Sequence, residues 1–246
     1  MDQPIFQPIP EIKDLIREAI ITNKHNVIPI WGELGTGKTT LMLRMLHWIV
    51  LTFMRIEPLD CPCDYLCPHW QKVLNDMTRF TFWEIRDKIK NAVMKNTRML
   101  ALGWDDLAVY FHRSNIQYMH PEVKDFFSKY NFVRPYLANL IITVPNINFI
   151  PEQLLSFATA DIWVKSRGVG DFDRAKLRRS FWGAKRSWTK YYDGYDVTWK
   201  PLPKQVYRKY EEIRHAHAVE AFEKPEEIFV TTMPKPKAYT EEESLF

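Results

Sequence analysis

Apolar residues recur along this chain in two alternating rhythms. Ile12, Leu15, Ile16, Ala19 and Ile20 repeat every three or four positions. That spacing predicts a helix from Glu11, started through Pro10 and closed by the polar stretch 23–26. Residues 27–31 (VIPIW) are a short apolar run of the kind a buried strand shows. Pro29 is a defect in it, because proline has no N–H for a ladder. A second helix is predicted over about 38–55. After a proline-rich loop at 56–69, helices are expected at about 70–77 and 82–95. Thr81 and Glu84 stand at capping-box spacing at the start of the latter. Strands are expected at 99–104, 140–144 (LIITV) and 160–165, with helix over most of 121–138 and a short helix at 151–157. Strands alternating with helices predict an α/β fold on a mainly parallel sheet.

Beyond 165 the rhythm changes. Phe181, Trp182, Trp188, Tyr191, Tyr195, Val197 and Trp199 alternate with polar residues, which predicts antiparallel hairpins. A helix over 206–222 follows, and its stretch 207–217 reads as structural. The chain thus divides into an extended arm (1–10), a core (11–165), a basic aromatic β-hairpin/helix extension (166–222) and a flexible acidic tail (223–246). No internal repeat is visible.

Composition narrows the class. The 246 residues are 46% hydrophobic and 26% charged, which excludes a disordered or fibrous chain and is ample for a buried core. The net charge of +4 is small but unevenly spread: 165–218 holds 14 basic and 6 acidic residues, and 219–246 holds 3 and 7. The N-terminus lacks the basic start and apolar stretch of a signal peptide. The most apolar run, 41–54, is broken by Arg44 and His47, so no membrane span is expected. The expectation is a soluble cytoplasmic protein with no membrane partner.

Glycine is scarce, and three of the eight (Gly32, Gly35, Gly37) fall within six positions. Gly32-Glu33-Leu34-Gly35-Thr36-Gly37-Lys38-Thr39 satisfies G-x-x-x-x-G-K-[ST] in full, between a predicted strand and a predicted helix. In such a loop successive N–H groups point at phosphate oxygens, and the helix N-terminus adds partial positive charge. The segment from Gly32 through Thr40 is therefore a candidate triphosphate cradle. Lys38 would reach the β- and γ-phosphates and the Thr39 hydroxyl would ligate Mg2+. A second element is needed to hold the metal. The run Leu100-Ala101-Leu102-Gly103-Trp104-Asp105-Asp106 offers a strand ending in two carboxylates. Asp105 is the candidate for the magnesium site and Asp106 for orienting the attacking water. Both could instead be helix caps. Thr143 and Asn146, at the end of a third strand, are candidates for sensing the γ-phosphate or for forming a turn. Arg134, Arg167 and Arg174 are candidates for an arginine supplied by a neighbouring subunit.

These motifs together resemble the P-loop ATPases of archaeal viruses and plasmids, which are similar to the bacterial replication initiator DnaA and to AAA+ proteins. The stretch Trp70-x-x-Val73-Leu74…Phe82 and the Arg134 helix before the third strand also look like that family. The resemblance covers roughly 25–165. It implies a three-layer P-loop sandwich of the ASCE type, with an extra strand between the two motif-bearing strands. It also implies ATP hydrolysis coupled to work on DNA, usually in a ring such as a hexamer, and, for a viral protein, a place in the host cytoplasm. Two departures stand out. Asp106 replaces the usual glutamate, and no helical lid carrying an arginine is evident after the fourth strand. The second admits a HerA/FtsK-like or RecA-like branch.

Two further clusters carry chemistry. Cys61, Cys63, Cys67 and His69 are the ligand types of a Cys3His zinc site, though the spacing C-x-C-x3-C-x-H is not a standard finger; a loop with reduced cysteines is the alternative. Between Lys165 and Arg214, basic residues interleave with Phe181, Trp182, Trp188, Tyr191, Tyr192 and Trp199, densest at 185–190. Cations can neutralise phosphates and flat rings can stack on bases, so DNA is the candidate partner; the core and solvated faces of a hairpin are the alternative. The expectation from sequence is thus a Mg2+-dependent ATPase acting on DNA in replication initiation, as an oligomer. The rivals are a DNA translocase or packaging ATPase, a P-loop small-molecule kinase, and a nucleotide-gated binding module with negligible hydrolysis.

Overall fold

The computed structural model of the chain describes residues 6–7, 10–54, 56, 66–107, 121–173 and 196–223. Their elements run β1 (Phe6–Gln7), α1 (Pro10–Ile21), β2 (Asn26–Trp31), α2 (Lys38–Phe53), α3 (Pro68–Lys72), β3 (Thr78–Arg79), α4 (Phe82–Met94) and β4 (Met99–Trp104). After these come α5 (Pro121–Ser128), β5 (Leu137–Val144), α6 (Glu152–Leu155), β6 (Asp161–Ser166), β7 (Val169–Asp173), β8 (Asp196–Trp199) and α7 (Lys204–Glu223). The fold is α/β, with one eight-stranded sheet in the order β1-β8-β7-β6-β2-β5-β4-β3. The five strands β6-β2-β5-β4-β3 are parallel. At the β6 edge, β7, β8 and β1 continue the sheet by antiparallel pairing. The strands within 166–222 therefore extend the core sheet, and Phe6–Gln7 of the expected arm closes its edge.

Side-chain alternation builds a layer on each face. Ile28, Ile30 and Ile141 point toward α1, α2 and α7, packing with Ile12, Leu41, Leu46 and Val206. Val27, Leu102, Leu140 and Ile142 point the other way, toward Phe82, Ile85, Val123 and Phe127 of α4 and α5. Central β5 is buried along its whole length, as a strand covered on both faces must be. Each fully buried aliphatic side chain there contributes about 1.5–3 kcal/mol.

Two blemishes in the sequence pattern have local reasons. Val27 donates to the Phe157 carbonyl and makes an isolated bridge to Ala158, while pairing of β2 with β6 starts only at Ile30 and Ile162. Pro29 faces the same side as Val27, so it falls in that gap and breaks no ladder bond. Gly103 interrupts an apolar strand because α2 crosses closely there. A β-carbon on it would lie 2.7 Å from Leu46 Cδ1 and 3.0 Å from Met42 Sδ.

The capping box forms: the Thr81 hydroxyl accepts from Glu84 N–H, and the Glu84 carboxylate accepts from Thr81 N–H. The helix expected at 70–77 is α3 followed by a π-turn over Val73–Met77. Among the described residues, no helix is long and apolar enough to cross a membrane.

Candidate functional site

The residues singled out at 32–40 link β2 to α2 at the carboxyl edge of the parallel strands. Gly32 has φ +145°, and a β-carbon on it would meet the Val164 carbonyl oxygen at 2.3 Å. Glycine is required there by close approach to β6. Gly37 caps α2 at φ +96°, so the left-handed turn that aims the helix N-terminus at the loop also needs glycine. Lys38 is buried and folds back on the loop, donating to the carbonyls of Gly32 (2.8 Å) and Glu33 (2.6 Å). Burial lowers its pKa, while Asp106 and Asp105 pull the other way. Leu34, at the tip, is exposed.

Asp105 is the hub. It directly follows β4, is only 2% exposed, and is the acceptor for three side-chain hydroxyls from three elements. Thr39 Oγ1 donates to Oδ1 at 2.8 Å, and Thr143 Oγ1 donates to the same oxygen at 2.6 Å. The Tyr210 phenol donates to Oδ2. Thr143 in turn accepts from the Asp106 N–H at 2.8 Å. The sheet makes this convergence possible, because β5 lies between β2 and β4. The loop after β2 and the tips of β5 and β4 are thus adjacent. Asn146 does something else: its side chain accepts from Asn148 N–H and shapes the following turn.

Asp106 adopts φ +52°. Aspartate tolerates the left-handed region better than glutamate, because its short side chain can bond locally. This gives a physical reason for an aspartate where the resemblance implies glutamate. Burial, and secondarily the neighbouring Asp105 carboxylate, raise the Asp106 pKa; Arg214 and Lys38 oppose the rise.

The sequence reading missed the role of α7. Val206, Tyr210, Ile213 and His217 form one helix face, with Val206 and Tyr210 in the core and Ile213 packed against it. The helix runs across the site, with the Tyr210 ring 6.0 Å from Phe80 and His217 stacked on Phe80 at 4.7 Å. Burial and Asp105 push the Tyr210 hydroxyl pKa up. Arg214 lies close enough to the Tyr210 hydroxyl, Asp105, Glu211 and Asp106 for them to raise its pKa against its own partial burial. The helix 207–217, read from the sequence as structural, also supplies a hydrogen-bond donor to Asp105 through Tyr210. The spacing 206/210/213/217 was available as a signal, but nothing local says what that face covers.

The remaining candidates separate. Arg167 lies beside Gly37 in the same chain. Arg134 precedes β5, at the opposite edge of the sheet, where its carbonyl accepts from Arg98. Trp199, grouped above with rings for stacking on DNA, is 7% exposed and packed in the core. Arg174, residues 181–192 and the dense 185–190 run lie outside the described residues. Cys67 is disulfide-bonded, which corrects the expectation of reduced cysteines; its Sγ lies 3.8 Å from His69 Nδ1. In that oxidised form Cys67 has no thiolate for a metal. Cys61 and Cys63 lie outside the described residues, and among the described ones no group of three or more potential ligands gathers. Comparisons with family models, with curated proteins and with solved structures found no match.

Proposed function

We propose that the chain is a Mg2+-dependent P-loop ATPase of the ASCE type whose turnover drives a DNA transaction, replication initiation being the first reading. One observation carries it: the hydroxyl of Thr39, next to the loop lysine, is held 2.8 Å from the carboxylate of Asp105, two strands away. A turn that only joined a strand to a helix would have no use for that pairing. The oxygens of Thr39 and Asp105 also fit the metal, since Mg2+ takes hard oxygen ligands. When bound there, Mg2+ supplies charge neutralisation on the β- and γ-phosphate oxygens.

This chain's own residues do the rest. Loop N–H groups and the α2 N-terminus receive the phosphates. Lys38 exchanges the Gly32 and Glu33 carbonyls for phosphate oxygens and stays charged beside the transferring group. Asp106 orients a water for in-line attack, and Thr143 fixes the Asp105 carboxylate and the Asp106 main chain through its hydroxyl. Protein oligomers and rings remain part of the proposal through the resemblance. The DNA assignment rests on the resemblance and on the basic bias of 165–218.

The test is the rate of phosphate release with and without single- and double-stranded DNA, combined with particle mass under MgATP. Slow turnover with site-specific duplex binding supports the initiator. Processive, DNA-stimulated turnover supports a translocase. Phosphate transfer that needs a small-molecule acceptor supports a kinase. The three protein hydroxyls already bonded to Asp105 favour one further reading, a nucleotide-gated module with little turnover; nucleotide binding without phosphate release supports that reading.

A further inference from the structure

A cavity of about 460 Å3 opens beside the loop, lined by Gly37, Thr40, Arg167, Trp199, Lys204 and Tyr207 among others. We propose that it receives the nucleoside, base and ribose together, of a nucleoside triphosphate. This rests on reading 32–40 as a phosphate loop. The volume lies within the range of small-molecule sites, about 300–1,000 Å3. Its position is the stronger argument. Gly37 and Thr40 belong to the loop and to the first turn of α2, so the cavity shares a wall with the cradle. Lys38 and Asp105 mark the far, γ-phosphate end. A triphosphate lying along the loop leaves its nucleoside on the Gly37–Thr40 side.

The lining has the composition a nucleoside needs. Trp199 and Tyr207 supply aromatic surface, and Leu202 adds an aliphatic wall. Arg167, Lys204 and the Thr40 hydroxyl supply hydrogen-bond donors for ring nitrogens, carbonyls and ribose oxygens. The indole of Trp199 touches the loop: its Nε1 is 3.4 Å from where a Gly37 β-carbon would sit. The wall is also held in place. Arg44, one turn after Thr40 on α2, donates to the carbonyls of Lys200 (3.3 Å) and Pro201. Trp199 N–H donates to the Gly168 carbonyl at 3.2 Å. The Arg44 bonds thus tie the pocket wall to α2. Trp199 and Arg167, which the sequence offered as a DNA-stacking ring and a trans-acting arginine, act here in cis.

The experiment is calorimetric titration of the full chain, in Mg2+, with ATP and with inorganic tripolyphosphate. Wild type, Tyr207→Ala and Lys38→Ala are compared; Tyr207 is half-exposed, so its truncation leaves the core intact. Wild type should bind ATP at least about tenfold more tightly than tripolyphosphate, and Tyr207→Ala should lose about tenfold in ATP affinity with tripolyphosphate affinity unchanged, the size of one base–aromatic contact. Equal wild-type affinity for the two ligands overturns the pocket proposal alone. So does a Tyr207→Ala variant that keeps wild-type ATP affinity, or one that loses both ligands equally. If wild type binds neither ligand, or Lys38→Ala binds both as wild type does, the phosphate-loop reading falls and takes this proposal with it.

Discussion

Replacing Tyr210 with phenylalanine removes one hydroxyl and keeps the ring, so the contact with Phe80 and the packing of α7 survive. The phenol donates to Asp105 Oδ2, the oxygen that neither Thr39 nor Thr143 bonds. Asp105 is 2% exposed, so bulk water does not replace the lost donor. A hydrogen bond to a charged group contributes about 1.5–3 kcal/mol. A chain of this size shifts by about 2–4 °C per kcal/mol. The free variant should therefore unfold about 3–12 °C below wild type. The loaded variant should lose less, because on the proposed reading Mg2+ would draw on the Asp105 carboxylate that the phenol engages in the free protein. Removing about 1.4 kcal/mol of that competition corresponds to a tenfold change in affinity. Thermal unfolding at fixed ATP across a Mg2+ series should show half-maximal stabilisation at about tenfold lower Mg2+ for Y210F. An unchanged Tm of the free variant would refute the hydrogen-bond argument. Equal losses in the free and loaded forms would refute the competition.

Other consequences can be checked separately. Asp106→Asn should raise stability at neutral pH, because the native state holds that carboxylate at a raised pKa; the gain should vanish as the pH falls through the carboxylate range toward 3.8, where wild type is protonated as well. Denaturant titrations of both proteins at several pH values measure this, and a gain that grows at low pH would contradict it. Gly103→Ala should cost about 1–3 kcal/mol as an overpacked core, and Gly32→Ala more, because a backbone carbonyl cannot swing aside as the Leu46 and Met42 side-chain ends can. The reverse order of denaturation midpoints would show that β6 does not hold the loop. Burial lowers His25 to about 4 and His47 to about 3. Their stabilising contribution should be full above 6.5 and lost as the pH drops toward those values, because the unfolded chain takes up protons that the native state refuses. Constant stability between pH 7 and 4.5 would count against both placements.

What the sequence made legible was local. The strand at 99–104, the helix starts at Pro10, Lys38 and Phe82, and the glycine-rich turn before Lys38 follow from spacing within a few residues, and the described elements match them closely. Misreadings came where a distant partner decides the outcome. Pro29 looked like a fault, but the gap that tolerates it is set by Ala158 and Ile162. Nothing within 99–104 explains Gly103, because the reason for it sits on α2. Tyr210 and Asp105 are 105 positions apart, so no window around either reveals their hydrogen bond. Trp199 shared the alternation of a basic hairpin, and only pairing of β8 with β7 and β1 turns it inward beside Gly37.

The central proposal is that residues 32–40 grip a triphosphate and that Asp105 completes the metal site. Equilibrium titration of MgATP into wild type and Lys38→Ala, with a second series lacking Mg2+, tests this most directly. One nucleotide per chain in wild type, weakened without Mg2+ and by at least about tenfold in the variant, is the expected result. Binding that is indifferent to both the lysine and the metal, or absent from wild type, would contradict it.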